Sequence, residues 1–273
     1  MPEGHTLHRL ARRQQRLLGG QVVAVSSPQG RFATEAAILD GMVFARAQAW
    51  GKHLVQSYRP VGAGRSRADE RLVHIHLGLY GAFTEGTTPM AEPVGQVRMR
   101  VVGAQVGIDL RGPNQCALIA PDELDALVAR LGPDPLRADA DPSLAYEAIS
   151  RSARPIGALL MDQKVIAGIG NVYRAEVLFR AGIDPLREGK QISRGEFDGI
   201  WRDLLRLMPI GVRRGKMHVV RAEHDHGAPS YAVDRPRTYV YRRAGEKCRI
   251  CGTEVRTSTL DGRNLFWCPG CQT

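Results

Sequence analysis

Long apolar runs are missing from this sequence of 273 residues. A helix that crosses a membrane needs roughly 18 or more consecutive apolar residues, and no segment approaches that length. The opening residues, MPEGHTLHRL, carry charged and polar side chains where an export signal would have an apolar stretch. We therefore expect a cytoplasmic protein that has no membrane partner.

Cysteine is also scarce, with only five in the chain. Four of them, Cys248, Cys251, Cys268 and Cys271, follow the pattern C-x2-C-x16-C-x2-C near the C-terminus, whereas Cys116 stands alone. Two disulfides would need an oxidising compartment, which nothing in the sequence indicates. Closely spaced cysteine pairs are instead typical of a tetrahedral zinc site with no open coordination position. The pattern therefore predicts one structural zinc ion.

Acidic residues are outnumbered, because 28 Asp and Glu stand against 38 Lys and Arg, which gives a formal net charge of +10. A basic protein is attracted to polyanions, and binding to them releases their counterions. Nucleic acid is therefore the first class of partner to consider.

Strand patterns dominate the first part of the chain. Residues 3–18 have apolar residues at helical spacing, and Gly19-Gly20 ends that pattern. Short β-branched or alternating segments follow, separated by Gly, Pro and polar residues: VVAVSS, MVFARAQAW, HLVQSY, RLVHIHL, QVRMRVV and CALIA. They predict an antiparallel sandwich or barrel that follows one helix and ends near residue 120.

Helical patterns take over at Pro121, which suits the first position of a helix. The segment LGPDPLRADADP is typical of a linker. At least four further helices are predicted beyond it, over 142–151, 155–162 and 171–181 and after a capping serine, Ser193. Residues 211–237 lack periodicity and are typical of a basic, mobile loop ahead of the cysteine module.

Two turns in this second part could bind phosphate groups. In AGIGNVYRAE, two glycines precede a helix that starts at Asn171, an arrangement that aims free backbone N–H groups at an anion. The segment fits neither standard nucleotide-binding loop, so a simple helix cap is the alternative. Asp261-Gly262 is a hairpin-turn signal that would present Arg263 at its tip, either to a phosphate or only to solvent.

Five segments in a fixed order carry a family resemblance: Met1-Pro2-Glu3-Gly4, Gly51-Lys52, GIGNVYRAE, TYVYRRAGEKC and GRNLFWCPGCQ. Over essentially its whole length the chain resembles the formamidopyrimidine-DNA glycosylase / endonuclease VIII family. The resemblance implies an α+β multidomain fold. We expect an N-terminal helix plus antiparallel β-sandwich over residues 1–130, a helix-two-turn-helix DNA-binding domain over 131–237, and a C-terminal zinc finger over 238–273.

The resemblance also implies a bifunctional DNA glycosylase and abasic-site lyase of base excision repair, acting as a monomer on damaged double-stranded DNA. Pro2, freed by removal of Met1, would attack the deoxyribose C1′ and form a Schiff base that leads to β,δ-elimination. Glu3 would move protons at the sugar and the leaving base. Without the resemblance, Pro2-Glu3 is an ordinary helix start.

Further site residues follow from the resemblance. Lys52 and Arg263 would hold phosphates at the catalytic centre, and Asn171 would be a third contact to the DNA backbone. Leu79 and Tyr80 correspond to the residues that the family inserts into DNA, and the Leu-Tyr pair is similar to the endonuclease VIII branch. Burial within a strand is the alternative for these two side chains.

Three departures from the family pattern bear on the substrate. Gly78 stands where the endonuclease VIII branch has a longer polar wedge, His5-Thr6 lacks a carboxylate usually found there, and no Arg-Arg-Phe follows Asp109. The absence of Arg-Arg-Phe after Asp109, together with Gly4, favours an enzyme that acts on oxidised pyrimidines. The alternatives are an 8-oxoguanine/formamidopyrimidine-type glycosylase and a non-catalytic zinc-containing DNA-binding protein.

Two histidine pairs, His74 with His76 and His224 with His226, have no third ligand at a suitable spacing. We therefore expect ordinary packing for the first pair and a solvated loop for the second.

Overall fold

The computed structural model describes residues 2–64, 69–225, 227 and 236–273. The chain forms two compact units, unit 1 (Met1–Arg130) and unit 2 (Leu131–Thr273). Within the described residues, unit 1 contains α1 (Gly4–Leu18), β1 (Ala24–Ser26), α2 (Ala33–Leu39), β2 (Val43–Trp50), β3 (His53–Arg59), β4 (Arg71–His76), β5 (Ala82–Thr87), β6 (Val97–Val102), β7 (Val106–Arg111), β8 (Gln115–Ile119) and α3 (Pro121–Ala129).

Unit 1 is an antiparallel sandwich of two four-stranded sheets, with the orders β1-β6-β7-β5 and β2-β3-β4-β8. The chain passes from one sheet to the other between β4 and β5 and returns between β7 and β8. Apolar side chains of both sheets and of α1 fill the core, among them Leu54, Ile75, Met99 and Leu110. Alternate residues of β3 and β4 point the other way, where Val55 and Leu72 pack against α3.

Helix α1 is held on the sheet by side-chain amides. Gln15 Oε1 accepts a hydrogen bond from the Ala47 backbone N–H at 2.9 Å, and Gln56 donates to Gln14 at 2.9 Å. Beyond its C-terminal end, the backbone N–H of Gly20 donates to Phe44 O at 2.8 Å. Helix α1 therefore runs antiparallel to β2, and its N-terminus points toward the Trp50 end of that strand.

Unit 2 is helical, with one hairpin near its end. Its core lies among the helices and includes Ile149, Tyr173, Phe197 and Trp201. Its elements are α4 (Pro142–Ser150), α5 (Ile156–Leu159), α6 (Asn171–Ala181), α7 (Arg194–Arg214), β9 (Arg256–Leu260) and β10 (Arg263–Trp267). None of the helices formed by the described residues is long and apolar enough to span a bilayer.

The structure has the predicted helix, sandwich and helical unit, and it differs from the predictions in detail. The predicted linker belongs to unit 2, because Gly132 N donates to Gln163 O at 2.9 Å and Ala167 N donates to Pro133 O at 3.1 Å. The predicted loop over 211–237 begins too early, since α7 continues to Arg214. Of that loop, residues 226 and 228–235, which include His226, lie outside the described residues.

Three elements, α2, β5 and β7, were not predicted. Strand β5, AFTEGT, is mostly exposed and contains a glycine, so its residues show no apolar alternation. Its hydrogen bonds to β7 hold it in the sheet. Tertiary pairing therefore overrides a weak local preference at these positions.

Candidate active site and DNA interface

At one end of the sheet β2-β3-β4-β8, residues that pair across neighbouring strands form a row over all four strands. Trp50 pairs with His53, His53 with His76, and His76 with Gln115. Just beyond this row lie the β2–β3 turn with Lys52, the turn over residues 77–81, and the turn over residues 112–114. The register of the sheet thus places Lys52, Leu79 and Tyr80 at one end of unit 1.

The Lys52 turn has two residues. Gly51 takes the positive φ of 55° that the first position of a type II′ hairpin turn requires. Lys52 follows it and is half-buried. The turn therefore fixes the position of Lys52 at the end of strands β2 and β3, where the Gly51-Lys52 sequence predicted a turn.

Pro2 and Glu3 precede α1, whose N-terminus points to this same end of the sheet. Pro2 is half-buried, and Glu3 is the N-cap residue with only 1% of its surface exposed. The next polar residue inward, His5, is also buried, and burial lowers its pKa to about 4. The imidazole of His5 is therefore neutral near pH 7.

Leu79 and Tyr80 are exposed, with 58% and 83% of their surfaces accessible. Their turn is closed by the Gly81 N–H, which donates to Leu77 O at 2.9 Å. Burial in a strand, the alternative considered from the sequence, is wrong for both side chains. Two adjacent large apolar side chains projecting from a short turn have the form of a wedge that could enter a base stack.

Three histidines lie beside Lys52 on the face that α3 covers. His53 Nδ1 and His74 Nε2 are 2.9 Å apart and share a hydrogen bond, and the His53 and His76 ring centroids are 5.1 Å apart. Burial lowers the pKa of His53 to about 3 and that of His74 to about 4, with further lowering by positive neighbours that include Arg130 for His53. Burial also lowers the pKa of His76. His74 and His76 are thus packing residues, and His53 was missed because it lies on another strand.

Acid should destabilise unit 1 through these rings. A histidine with a folded pKa below its unfolded value of about 6.5 contributes stability above pH 6.5, and that stability is lost as the pH falls toward 4. For His74, lowering the pH from 7 to 5 should reduce the free energy of unfolding by about 2 kcal/mol. We expect His74→Gln to remove this contribution of about 2 kcal/mol from the pH dependence in urea unfolding and to leave the contributions of His53 and His76. His224→Gln in unit 2 is the control, and equal pH dependence in wild type and His74→Gln would contradict the assignment.

In unit 2, the start of β10 is bound to the start of α6. Asn171 Nδ2 and Arg174 Nη2 both donate to the backbone oxygen of Asn264 at 2.9 Å, and Arg174 also donates to Asn171 Oδ1. Asn171 is the first residue of α6, after Gly170 as N-cap. The structure therefore brings Asn171 next to the hairpin that carries Arg263.

Arg263 itself is the first residue of β10 and is exposed. The two turn residues are Asp261 and Gly262, whose φ angles of 48° and 70° fit a type I′ turn. Asp261 accepts a hydrogen bond from Arg154 Nη2 at 3.2 Å. Arg263 thus lies one residue past the turn that was expected to present it at the tip.

Arg174 and Glu176 are positioning residues that the sequence analysis did not predict. Arg174 is 1% exposed and holds the hairpin as described. Glu176 is fully buried, and its carboxylate accepts backbone hydrogen bonds from Tyr239, Val240 and Tyr241 at 2.7 to 3.0 Å. The available sequence signal was an arginine and a glutamate within a helix that is otherwise buried. A buried charged side chain needs a dedicated hydrogen-bonding partner.

The four clustered cysteines fit a zinc ion. Their Sγ atoms all lie within 4.8 Å of one another, with Cys248 to Cys271 at 3.8 Å and Cys251 to Cys268 at 3.4 Å. A tetrahedral site with Zn–S distances of about 2.3 Å requires S–S separations of about 3.8 Å. These residues would hold the metal with no open position, so the metal would support structure. Cys116 belongs to unit 1 and is not one of the four clustered cysteines.

Comparison with known proteins identifies the family. Residues 131–222 match the family model described as the formamidopyrimidine-DNA glycosylase H2TH domain, and residues 245–273 match the zinc finger found in FPG and IleRS. The chain is 62% identical to Endonuclease 8 1 of Mycobacterium tuberculosis and of Mycobacterium bovis, with full coverage of both chains. It is 30% identical to a formamidopyrimidine-DNA glycosylase of Parasynechococcus marenigrum, covering 87% of this chain and 85% of the relative.

Solved structures share the fold. A structure of MutM in complex with DNA containing carbocyclic 8-oxo-G matches with a TM-score of 0.78 at 21% identity, covering 100% of both chains. The Lactococcus lactis Fpg in complex with DNA containing an abasic site matches with a TM-score of 0.78 at 20% identity, covering 99% of each chain. The chain belongs to the formamidopyrimidine-DNA glycosylase / endonuclease VIII family. It is accordingly a DNA-repair glycosylase with abasic-site lyase activity, and the predicted fold class is confirmed.

Proposed function

We propose that this enzyme removes oxidised pyrimidines from double-stranded DNA through a Schiff base on Pro2 and then nicks the backbone by β,δ-elimination. The observation that carries the proposal is the convergence of the Pro2 end of α1, the Lys52 turn and the exposed Leu79-Tyr80 turn on one end of unit 1. Identity of 62% to Endonuclease 8 1 supports the endonuclease VIII branch.

The roles follow from the chemistry of each group. With Met1 removed, the secondary amine of Pro2 attacks C1′ as the base leaves, and the resulting iminium withdraws electrons from the sugar so that β- and δ-elimination can follow. Glu3, buried beside Pro2, transfers protons at the sugar ring and the departing base. Leu79 and Tyr80 fill the space that the everted nucleotide vacates.

Lys52 and residues of unit 2 bind the DNA backbone. Lys52 and Arg263 bind phosphates near the lesion, and Asn171 is a further backbone contact at the helix start. One zinc ion per chain, held by the four cysteines, keeps the β9–β10 hairpin in place. The enzyme acts as a monomer, because an asymmetric lesion needs only one catalytic centre. It works in the bacterial cytoplasm.

These contacts to the DNA backbone predict that the salt dependence of DNA binding changes when Lys52 or Arg263 is replaced. Lys52→Ala and Arg263→Ala should each weaken binding to damaged and undamaged duplex alike and flatten the slope of log K against log salt by about one unit. Lys190→Ala is the control, since its ammonium already pairs with Glu188 at 2.7 Å. Titration of a labelled duplex at several salt concentrations measures the slope. An unchanged slope for both Lys52 and Arg263 would remove them from the backbone contacts.

A panel of duplexes, each with one lesion, tests the substrate assignment. The panel contains an oxidised pyrimidine, 8-oxoguanine, a formamidopyrimidine and an abasic site, and strand cleavage is followed over time. We expect the oxidised pyrimidine to be excised faster than either purine lesion. Faster excision of the purine lesions would favour the 8-oxoguanine/formamidopyrimidine type. Binding without cleavage of any duplex would indicate a non-catalytic DNA-binding protein.

A further inference from the structure

The outward face of α1 carries a row of arginines. Arg9, Arg12 and Arg16 are exposed, and Arg13 is half-buried. In an α-helix with 3.6 residues per turn, these four positions lie within an arc of about 100°. The residues that α1 buries between positions 7 and 18 lie on the opposite side of the helix. The four arginines, called here the arginine stripe, therefore face away from the core of unit 1.

Glu85 of β5 is the acidic side chain that meets the arginine stripe. Its carboxylate accepts hydrogen bonds from Arg13 Nε at 3.0 and 3.1 Å and from Arg13 Nη2 at 2.7 Å. Hydrogen bonding to Arg13 lowers the pKa of Glu85, and the charges of Arg16 and Arg9 lower it further. In the part of the chain that the structure describes, no carboxylate pairs with Arg12 or Arg16. The stripe therefore keeps an excess of positive charge.

This excess charge is unfavourable for the helix. Arg9 and Arg13 are four residues apart, as are Arg12 and Arg16, and like charges at this spacing repel each other and destabilise a helix. The core does not require arginine at positions 12 and 16, because both side chains are exposed. Binding of an anion along the stripe would remove the repulsion. The arrangement of charges therefore points to an anionic partner.

Duplex DNA has the charge density that the arginine stripe fits. The stripe spans roughly 10 Å along the helix axis, and a duplex carries one negative charge for roughly each 1.7 Å of its length. Several phosphates can therefore face the stripe at once, and guanidinium groups match phosphates in geometry. Arg12 and Arg16 lie roughly 12 and 18 Å along the helix from Gly4. The stripe thus runs away from the Pro2 end of α1.

We propose that the arginine stripe of α1 is a second binding surface for double-stranded DNA, through which the enzyme passes directly from one DNA segment to another. Direct transfer requires that a protein hold two segments briefly at the same time. Phosphate contacts carry no sequence information, so the stripe accepts undamaged DNA. The inference goes beyond the proposed function, because it concerns how the enzyme moves between duplexes and requires no particular lesion.

The test measures how fast the enzyme leaves a labelled duplex that contains a stable abasic-site analogue while unlabelled, undamaged duplex is added. For wild type, the dissociation rate should rise in proportion to the concentration of unlabelled duplex, because the incoming duplex binds the stripe before the labelled one leaves. The double variant Arg12→Ala, Arg16→Ala should lose most of this rise. The logarithmic salt dependence of the competitor-driven rate should flatten by about two units, one for each lost phosphate contact.

Glu85→Gln is expected to have the opposite effect. The substitution removes the carboxylate that neutralises Arg13, which is then available to a phosphate, so transfer should become faster than in wild type. A folding defect would not accelerate transfer. The matched control is the double variant Arg202→Ala, Arg206→Ala, which removes two exposed arginines at the same spacing from α7 and should transfer like wild type.

Single-turnover excision at saturating enzyme should be equal in all variants, which shows that the catalytic centre is intact. A wild-type dissociation rate that does not depend on the unlabelled duplex would overturn the proposal. Normal transfer by the variant without Arg12 and Arg16 would also overturn it and would assign the stripe to another anionic partner, such as an acidic protein. Absence of excision by wild type on every lesion would count against the proposed function and leave the transfer measurement valid.

Discussion

A chain with extra residues ahead of Pro2 is expected to bind damaged duplex DNA normally and to form no covalent adduct with it under borohydride. An iminium can form only on a free amine, and residues added before Pro2 convert that amine into an amide. Helix α1 begins at Gly4, so the addition leaves the helix and its contacts to the sheet in place. The loss should therefore be confined to the chemical steps.

The native amine is suited to this reaction. An α-amino group titrates at roughly pH 7.7 to 8.0, so an appreciable neutral fraction exists near neutral pH. The pyrrolidine ring makes the amine secondary, and its iminium therefore stays positively charged and favours elimination. Wild-type enzyme should give a borohydride-trapped adduct with the cross-link on Pro2, identified by mass spectrometry of the peptide.

Two substitutions separate the roles of the first residues. Pro2→Gly should slow both base excision and strand cleavage. Glu3→Gln should slow base excision by about 10²- to 10⁴-fold and have a smaller effect on cleavage at a preformed abasic site, because only the first reaction protonates a leaving base. Normal cleavage by the extended chain would mean that an internal lysine is the nucleophile.

Features with a local cause could be predicted from the sequence. The bounds of α6 follow from Gly170 before it and Gly182 after it, where the backbone takes the left-handed conformation with a φ of 71°. The zinc cysteines are similarly recognisable because two C-x2-C pairs suffice to define a tetrahedral ligand set. In both cases the physical requirement is met by residues close together in the chain.

Features that depend on strand register could not be predicted. The histidine cluster requires His53 to pair with His76. The packing of the Leu79-Tyr80 turn against the turn over residues 112–114 requires residue 78 to lie next to residue 114. Neither proximity leaves a periodic signal in the sequence. Arg174 is a similar case, because its acceptor is the backbone of Asn264, and a backbone carbonyl has no sequence signature. Such contacts depend on the fold and have no signature in the sequence.

Removal of zinc is expected to cost the enzyme its DNA affinity by disordering the β9–β10 hairpin. A two-stranded hairpin is marginally stable alone. Here it shares a small core with α6, in which Cys248 and Cys268 are buried beside Phe179 and Phe266. The metal would contribute directly to the folding free energy of this part, because the ligands are gathered only in the folded state.

Loss of the hairpin would also affect α6. The backbone oxygen of Asn264 would no longer accept hydrogen bonds from Asn171 and from the buried Arg174. Arg263 would lose its fixed position at the same time. We expect affinity for a damaged duplex to fall about 10- to 100-fold, which corresponds to one charge-assisted contact of about 1.5–3 kcal/mol.

Cys268→Ser and Cys116→Ser form a matched pair for this experiment, since each replaces one partly or fully buried thiol but only Cys268 belongs to the cluster. Elemental analysis should find one zinc ion per chain in wild type and Cys116→Ser and less in Cys268→Ser, and a chelator should lower the affinity of wild type to that of Cys268→Ser. Because Pro2, Glu3 and Lys52 lie in unit 1, the zinc-depleted enzyme should still be trapped on abasic DNA at high DNA concentration. Full affinity without zinc would show that packing against α6 alone holds the hairpin, and that the four cysteines are dispensable for placing Arg263.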